Sequence, residues 1–255
     1  MRIAICGYGR MGQRIHVMAL SQGFEVSAII DPYSTLPGVT HKALDAAALQ
    51  EADAVIDFSS PAGVVDNIIM YGRLGIPAVI GTTGWYDKLG MIKDVLSSER
   101  PSILYSGNFS IGVALTVKLA EYAAKLMDHF PSYDVSIHEV HHKMKADSPS
   151  GTALMLSDVL LDNMDRKKRI DTECQHSRRE EDVIHISSER VGYVPGTHTI
   201  TFDSEVDTIT LTHTARSRDG FAEGAIKAAS WLVKERKTGF FSFEDFVSYM
   251  LGEEI

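Results

Sequence analysis

Residues 2–12 read RIAICGYGRMG, and most of the architecture follows from them. Five residues rich in strand formers run straight into glycines at positions 7, 9 and 12. A helical apolar spacing follows in Ile15, Met18 and Ala19. G-x-G-x-x-G carries meaning in this strand–turn–helix context. Gly7 permits the tight turn, Gly9 lets the backbone approach a pyrophosphate, and Gly12 lets the helix pack closely on the strand. The helix start offers unpaired N–H groups and the positive end of its dipole to phosphates, and Arg10 adds a side-chain donor. The expectation is a Rossmann-type dinucleotide-binding domain.

Downstream residues extend the same pattern. Residues 25–30, EVSAII, form a second strand ending in Asp31, 19 residues after Gly12. An acid there hydrogen-bonds the adenosine ribose 2′-hydroxyl, and its charge repels a 2′-phosphate. No basic residue follows Asp31 until Lys42, so NADH is favoured over NADPH. AVIDF (54–58), AVI (78–80) and SILY (102–105) are further buried strands. Loops 59–61, 81–84 and 106–112 follow them at the sheet edge where open α/β folds bind ligands. Thr82, Thr83 and Asn108 are candidate contacts to the nicotinamide or its ribose.

The middle of the chain changes character. A helical apolar spacing at 111–127 leads into YDVSIHEVHHKMKADSPSGTA, residues 133–153. His138 to His142 formally match the H-E-x-x-H zinc motif, which requires a helix. The preceding residues alternate as a strand does. There His138 and His142 would stand about 13 Å apart at ~3.3 Å per residue, so no metal is expected. His141, His142, Lys143 and Lys145 instead concentrate positive and proton-donating groups. Ser150, Gly151 and Thr152 at a helix start form an anion site, Lys145 supplies a counter-charge, and a histidine titrates where a general acid must.

Strands at 183–189, 198–202 and 205–214 join 133–140 in an open four-stranded sheet, flanked by helices at 111–127 and 152–163. This is an α+β second domain with one sheet face to cover, which suggests a homo-oligomer. A helix at 221–233 returns the chain to the first domain.

Composition bounds the function. The 255 residues carry 25 basic and 34 acidic side chains, a net charge of −9. The chain therefore lacks the positive footprint of a nucleic-acid binder. Cys6 and Cys174 lie too far apart for a metal-ligand spacing, and no apolar run reaches the ~20 residues of a membrane span. A cytoplasmic protein is expected.

Particular blocks carry a resemblance. GYGRMG (7–12), DFSSP (57–61), GTTGW (81–85), NFSIGV (108–113) and above all EVHHKMKADSPSGTA (139–153) resemble the 4-hydroxy-tetrahydrodipicolinate reductase family. The likeness extends to HTARSRDGFAEGA at 213–225. It implies an NAD(P)H-dependent reduction of a small cyclic dicarboxylate in lysine and diaminopimelate synthesis, by a homotetramer. Gly7, Gly9, Arg10, Met11 and Gly12 would form the dinucleotide loop. Asp31 would take the ribose, and Gly81, Thr82, Thr83, Asn108, Phe109 and Ser110 would flank the nicotinamide. His141 would be the general acid and Lys145 the catalytic or orienting lysine. His142, Ser150, Gly151 and Thr152 would bind substrate. The implied domains are 1–107, completed by 216–255, for the dinucleotide and 108–215 for substrate and oligomerisation.

Val191 and Thr197 depart from the family pattern without removing a proposed catalytic group. Two other readings fit a dinucleotide fold: a different two-domain amino-acid or aldehyde dehydrogenase, and a non-catalytic NADH-sensing module. The contiguous 139–153 block speaks against the first, and the second leaves its histidines and lysines without a use.

Overall fold

A computed structural model describes residues 1–253. In chain order the elements begin with β1 (Arg2–Cys6), α1 (Arg10–Ser21), β2 (Glu25–Ile30), α2 (Ala46–Leu49) and β3 (Ala54–Asp57). Next come α3 (Val64–Leu74), β4 (Ala78–Ile80), α4 (Leu89–Val95), β5 (Ser102–Tyr105) and α5 (Ile111–Asp128). Then follow β6 (Asp134–His141), α6 (Gly151–Asn163), β7 (Arg169–Asp171), β8 (Val183–Arg190), β9 (Thr197–Asp203) and β10 (Thr208–Thr214). The chain closes with α7 (Asp219–Lys234), β11 (Gly239–Ser242) and α8 (Phe243–Leu251). Among the described residues no helix is long and apolar enough to cross a membrane.

The first unit comprises Met1–Ile111 and the chain from Arg218 onward. Its six strands are all parallel, in the order β11-β5-β4-β3-β1-β2. Helices cover both faces of such a sheet, so its strands read as unbroken apolar runs. Residues 54–57 and 78–80 are accordingly all buried. One face packs Val55, Ala78 and Ile103 against Ile68, Tyr71 and Ile92 of α3 and α4. On α7, Gly224 comes so close to the Phe109 carbonyl that a Cβ would lie 1.8 Å from its oxygen. The strand order reverses between β1 and β3, the switch point where such sheets bind ligands.

Two glycines of the first turn are fixed by sterics. Gly7 has φ +88°, and a Cβ on it would lie 2.4 Å from the Phe58 carbonyl oxygen. On Gly12 a Cβ would lie 2.0 Å from the Gly7 carbonyl oxygen, a backbone atom that cannot rotate aside. Gly12→Ala should therefore cost about 1–3 kcal/mol, as overpacking does, and should weaken dinucleotide binding by displacing α1. Thermal unfolding and cofactor titration check this, and a variant matching the parent in both would show that the contact relaxes freely.

The second unit is Gly112–Ser217. Its mixed sheet has five strands, β10-β9-β6-β8-β7, not the four expected. The additional strand, β7, is three residues, RID, paired parallel to the start of β8. With Ile170 as its one apolar residue, it is too short to show alternation. Val135 and Ile137 of β6, with Ile200 and Phe202 of β9, pack against Ala120 and Ala124 of α5 and Leu156 and Leu160 of α6. By the two-residue period of a strand, Ser136, His138, Thr199 and Thr201 point to the opposite face.

The units divide after Ile111 and after Ser217, a few residues beyond the expected 107 and 215. Phe109 accounts for the first difference. Its ring is buried against Phe58 and Phe243, with centroids 5.8 and 5.1 Å away, so residues 108–111 pack with the first unit.

Candidate active site

In the first unit, a cavity of about 930 Å³ opens at the end of β1. Of the expected cofactor residues, Gly7, Gly9, Arg10 and Asp31 line it, beside Tyr8, Lys42 and Phe58. Gly9 precedes α1, and nothing lies within 4 Å of where its Cβ would be. That open space fits the close approach of a phosphate to a helix start. Met11 and Gly12 lie in α1 outside the cavity wall.

Asp31 does more than face a ligand. Its Oδ2 accepts the Tyr8 N–H at 2.7 Å, and its Oδ1 accepts those of Tyr33 and Ser34, both at 2.8 Å. Partial burial alone would raise its pKa. The N–H groups of Tyr8, Ser34 and Tyr33, with the charge of Lys42, outweigh this and hold it below the ordinary carboxylate value. Two carboxylate oxygens offer about four acceptor positions, so one remains for a hydroxyl. Lys42, far from Asp31 in sequence, returns to the same cavity and donates to the Ser34 carbonyl.

The residues expected around a nicotinamide lie outside this cavity wall. A Cβ on Gly81 would strike the Phe58 ring, itself part of the wall. Thr82 is buried with its hydroxyl turned to Asp57 at 3.4 Å, while Thr83 is exposed. Asp57 is fully buried and also accepts from the Ser59 N–H at 2.9 Å, the Tyr71 hydroxyl at 2.8 Å and the Asn67 amide at 3.0 Å. It thereby joins the loops after β3 and β4, a role its strand-end position did not reveal. In the next loop the Asn108 Oδ1 accepts the Ser110 N–H at 2.8 Å. Phe109 and Ser110 are buried.

In the second unit, β6 carries the chemistry. Its buried positions alternate as Val135, Ile137, Glu139 and His141, which places a carboxylate and an imidazole on the core face. His138 points the other way, with Nδ1 2.8 Å from the Ser187 hydroxyl. The H-E-x-x-H residues therefore sit at a strand end and never share a helix face. Glu139 is fully buried. Its Oε1 accepts the Ser150 N–H at 3.0 Å and an Arg190 N–H at 2.9 Å. Burial raises its pKa, but hydrogen bonds from Ser150, Arg190 and Ser188 prevail and hold it at about 2.

Two histidines face this carboxylate. His141 Nδ1 lies 3.1 Å and His198 Nε2 3.7 Å from Oε2, and the rings stack edge-to-face with centroids 5.1 Å apart. Burial lowers the pKa of both, that of His198 to about 4. The three ligand atoms lie within 4.8 Å of one another, a spacing that a divalent cation could bridge. The Arg190 guanidinium already on the same carboxylate opposes a second positive charge.

Beyond His141 the loop supplies charge. Lys145 donates to both oxygens of Asp147, at 2.7 and 2.8 Å. His142 is partly exposed beside it. Ser150 is buried and already engaged: its Oγ caps α6 by accepting the Ala153 N–H at 3.2 Å and lies 3.0 Å from His198 Nε2. The first-turn N–H groups of Gly151 and Thr152 have no carbonyl partner within the helix. A Cβ on Gly151 would meet nothing within 4 Å, so open space adjoins that helix start. Glu139, Arg190 and His198 were not among the candidate residues. The alternation of β6 does carry a signal for Glu139, because it places an acid in register with core residues.

A switch-point cavity behind a glycine turn in the first unit, and an open helix start beside a buried histidine–carboxylate cluster in the second, are features of a two-unit nicotinamide-dependent oxidoreductase. Comparison with known proteins narrows this. The family model for the dihydrodipicolinate reductase N-terminus matches residues 1–109, and that for the C-terminus matches residues 112–247. The chain belongs to the dihydrodipicolinate reductase family. The 4-hydroxy-tetrahydrodipicolinate reductase of Christiangramia forsetii is 38% identical over 97% of this chain and 98% of its own. That of Staphylococcus carnosus is 36% identical over 96% and 99%. Among solved structures, a dipicolinate-bound dihydrodipicolinate reductase from Paenisporosarcina sp. TG-14 shares the fold. It has a TM-score of 0.76 and 23% identity, over 95% of this chain and 97% of that one.

Proposed function

We propose that this chain reduces 4-hydroxy-tetrahydrodipicolinate to tetrahydrodipicolinate with loss of water, the step its relatives are named for. The observation that carries the reading is the 139–152 cluster, where an imidazole, an ammonium and a helix start meet beside a buried carboxylate. The first unit's Gly9, Arg10 and Asp31 hold the pyrophosphate and ribose, with Gly81–Thr83 and Asn108–Ser110 towards the nicotinamide. When bound, the reduced nicotinamide supplies hydride to the unsaturated ring. In the second unit, Lys145 and the Gly151 and Thr152 N–H groups hold a substrate carboxylate and orient the ring, with His142 and Ser150 beside them. His141 then gives a proton to the position where reduction leaves electron density. Positioning of this kind accounts for much of an enzyme's advantage over solution, and the cofactor carries the redox chemistry.

We also read the chain as cytoplasmic, where reduced nicotinamide is regenerated, and as a homotetramer whose subunits cover the open face of the second unit's sheet. Loss of reduced-nicotinamide absorbance, with substrate generated by the preceding synthase, tests the activity. No turnover with either cofactor would overturn it.

The same assay tests the cofactor reading. The acceptor position left on Asp31 favours NADH, while Lys42 gives a 2′-phosphate a partner in the same cavity. Lys42→Met should lower kcat/KM with NADPH by about tenfold, the worth of one charge-assisted hydrogen bond, and should leave the NADH value nearly unchanged. Equal losses with both cofactors would remove Lys42 from this role.

A further inference from the structure

The geometry of a strand end does not by itself say which nitrogen of an imidazole handles a proton, but the surroundings of His141 do. Its two ring nitrogens meet different environments. Nδ1 lies 3.1 Å from Glu139 Oε2, although the ring is turned so that neither atom completes a hydrogen bond, with each other or elsewhere. Nε2 faces Gly196, where a Cβ would stand 2.9 Å away, so the absence of a side chain keeps that nitrogen clear. Glu139 cannot easily move: it is fully buried and held through Oε1 by Arg190 and the Ser150 N–H.

We propose that Glu139 is the positioning residue of the acid, its charge drawing a proton to Nδ1 of His141 so that Nε2 is the nitrogen that gives up the catalytic proton. This rests on the reading of His141 as the acid. An ionised carboxylate at this distance repels a bare Nδ1 lone pair and attracts an N–H, which fixes the tautomer. The imidazolium delivers its Nε2 proton to the substrate, the N–H electron pair stays on the ring, and the ring is left neutral with its proton on Nδ1. The same negative charge stabilises the imidazolium against the burial that disfavours it. The other groups bearing on His141 are Lys145, Asp147, Arg190 and His198, and Glu139 is the carboxylate nearest the ring.

Nitrogen-15 spectra of histidine-labelled parent protein test the tautomer without any variant. Neutral His141 is expected as Nδ1–H, and an Nε2–H form would overturn the proposal. Glu139→Gln keeps the shape and removes the charge. It should move the histidine-dependent limb of the kcat/KM profile to lower pH by about one pH unit, as loss of a nearby opposite charge does. The rate should fall at neutral pH and recover in acid, with cofactor KM unchanged. Glu139→Asp, which restores the charge, should bring the limb part of the way back. A folded Glu139→Gln protein whose limb stays in place would overturn the proposal, because a purely structural role lowers the rate at every pH alike. Normal turnover in His141→Gln would instead remove the acid reading itself, whatever the tautomer.

Discussion

His141→Gln is expected to lower kcat by about 10²–10⁴, the range a general acid contributes, while cofactor affinity changes little. The two effects separate because the residues proposed for the nucleotide, Gly9, Arg10 and Asp31, belong to the first unit, and His141 belongs to the second. The residue is 7% exposed, so a solvent proton has poor access in its place. Glutamine approximates the size of the imidazole and limits the cavity left beside His198, 5.1 Å away. Steady-state kinetics with reduced cofactor, alongside binding measured by quenching of intrinsic fluorescence, give both quantities. Near-normal turnover would take the proton from elsewhere, and an equal loss of binding would mean that the substitution disturbs more than the second unit.

What could be read from the chain beforehand is what backbone geometry dictates locally. RIAICGYGRMG requires its glycines because Gly7 adopts φ +88° and Gly12 meets a carbonyl oxygen within a few residues. Those are short-range constraints, and glycine spacing records them directly. Asp31 was legible as a strand-end acid, but its hold on the Tyr8, Tyr33 and Ser34 N–H groups depends on loop paths that the spacing does not encode. Spacing shows only that no basic residue follows Asp31 before Lys42, yet the chain brings Lys42 into the same cavity.

In the second unit, β7 leaves little mark in the sequence because three residues, with Ile170 the one apolar member, are too few to show a period. Glu139 reads as an ordinary acid until Arg190, 51 residues away, is seen on its carboxylate. Ser150 reads as a substrate donor, and the sequence does not show that its N–H and hydroxyl also have partners inside the fold. The general pattern is that turn and strand chemistry is legible, while the partners of buried polar groups arise from tertiary pairing.

Removing Arg190 should expose how much of the second unit depends on that pairing. Arg190→Met leaves the Glu139 carboxylate buried with the Ser150 N–H but without its cation. Breaking a buried ion pair from one side costs about 3–5 kcal/mol, a drop on the order of 10 °C in Tm for a chain of this size. The pH dependence has a definite sign. Glu139 is held at about 2 in the folded protein against an ordinary value of 4.5. The stability it contributes is therefore fully present above the ordinary value and is lost as pH falls through about 2. Without Arg190, one of the groups that hold the carboxyl down is gone, so it takes up a proton at higher pH than in the parent, which relieves the unpaired charge. The Tm gap between parent and variant should thus be widest near neutrality and narrow towards pH 4. Adding Glu139→Gln to Arg190→Met should recover much of the loss at neutral pH, since the second change removes the stranded charge. Thermal unfolding of the parent and both variants at two pH values decides the matter. A gap that stays constant with pH, or a double variant no more stable than the single one, would mean that Arg190 acts through its 2.6 Å contact to the Asp147 carbonyl rather than through the ion pair.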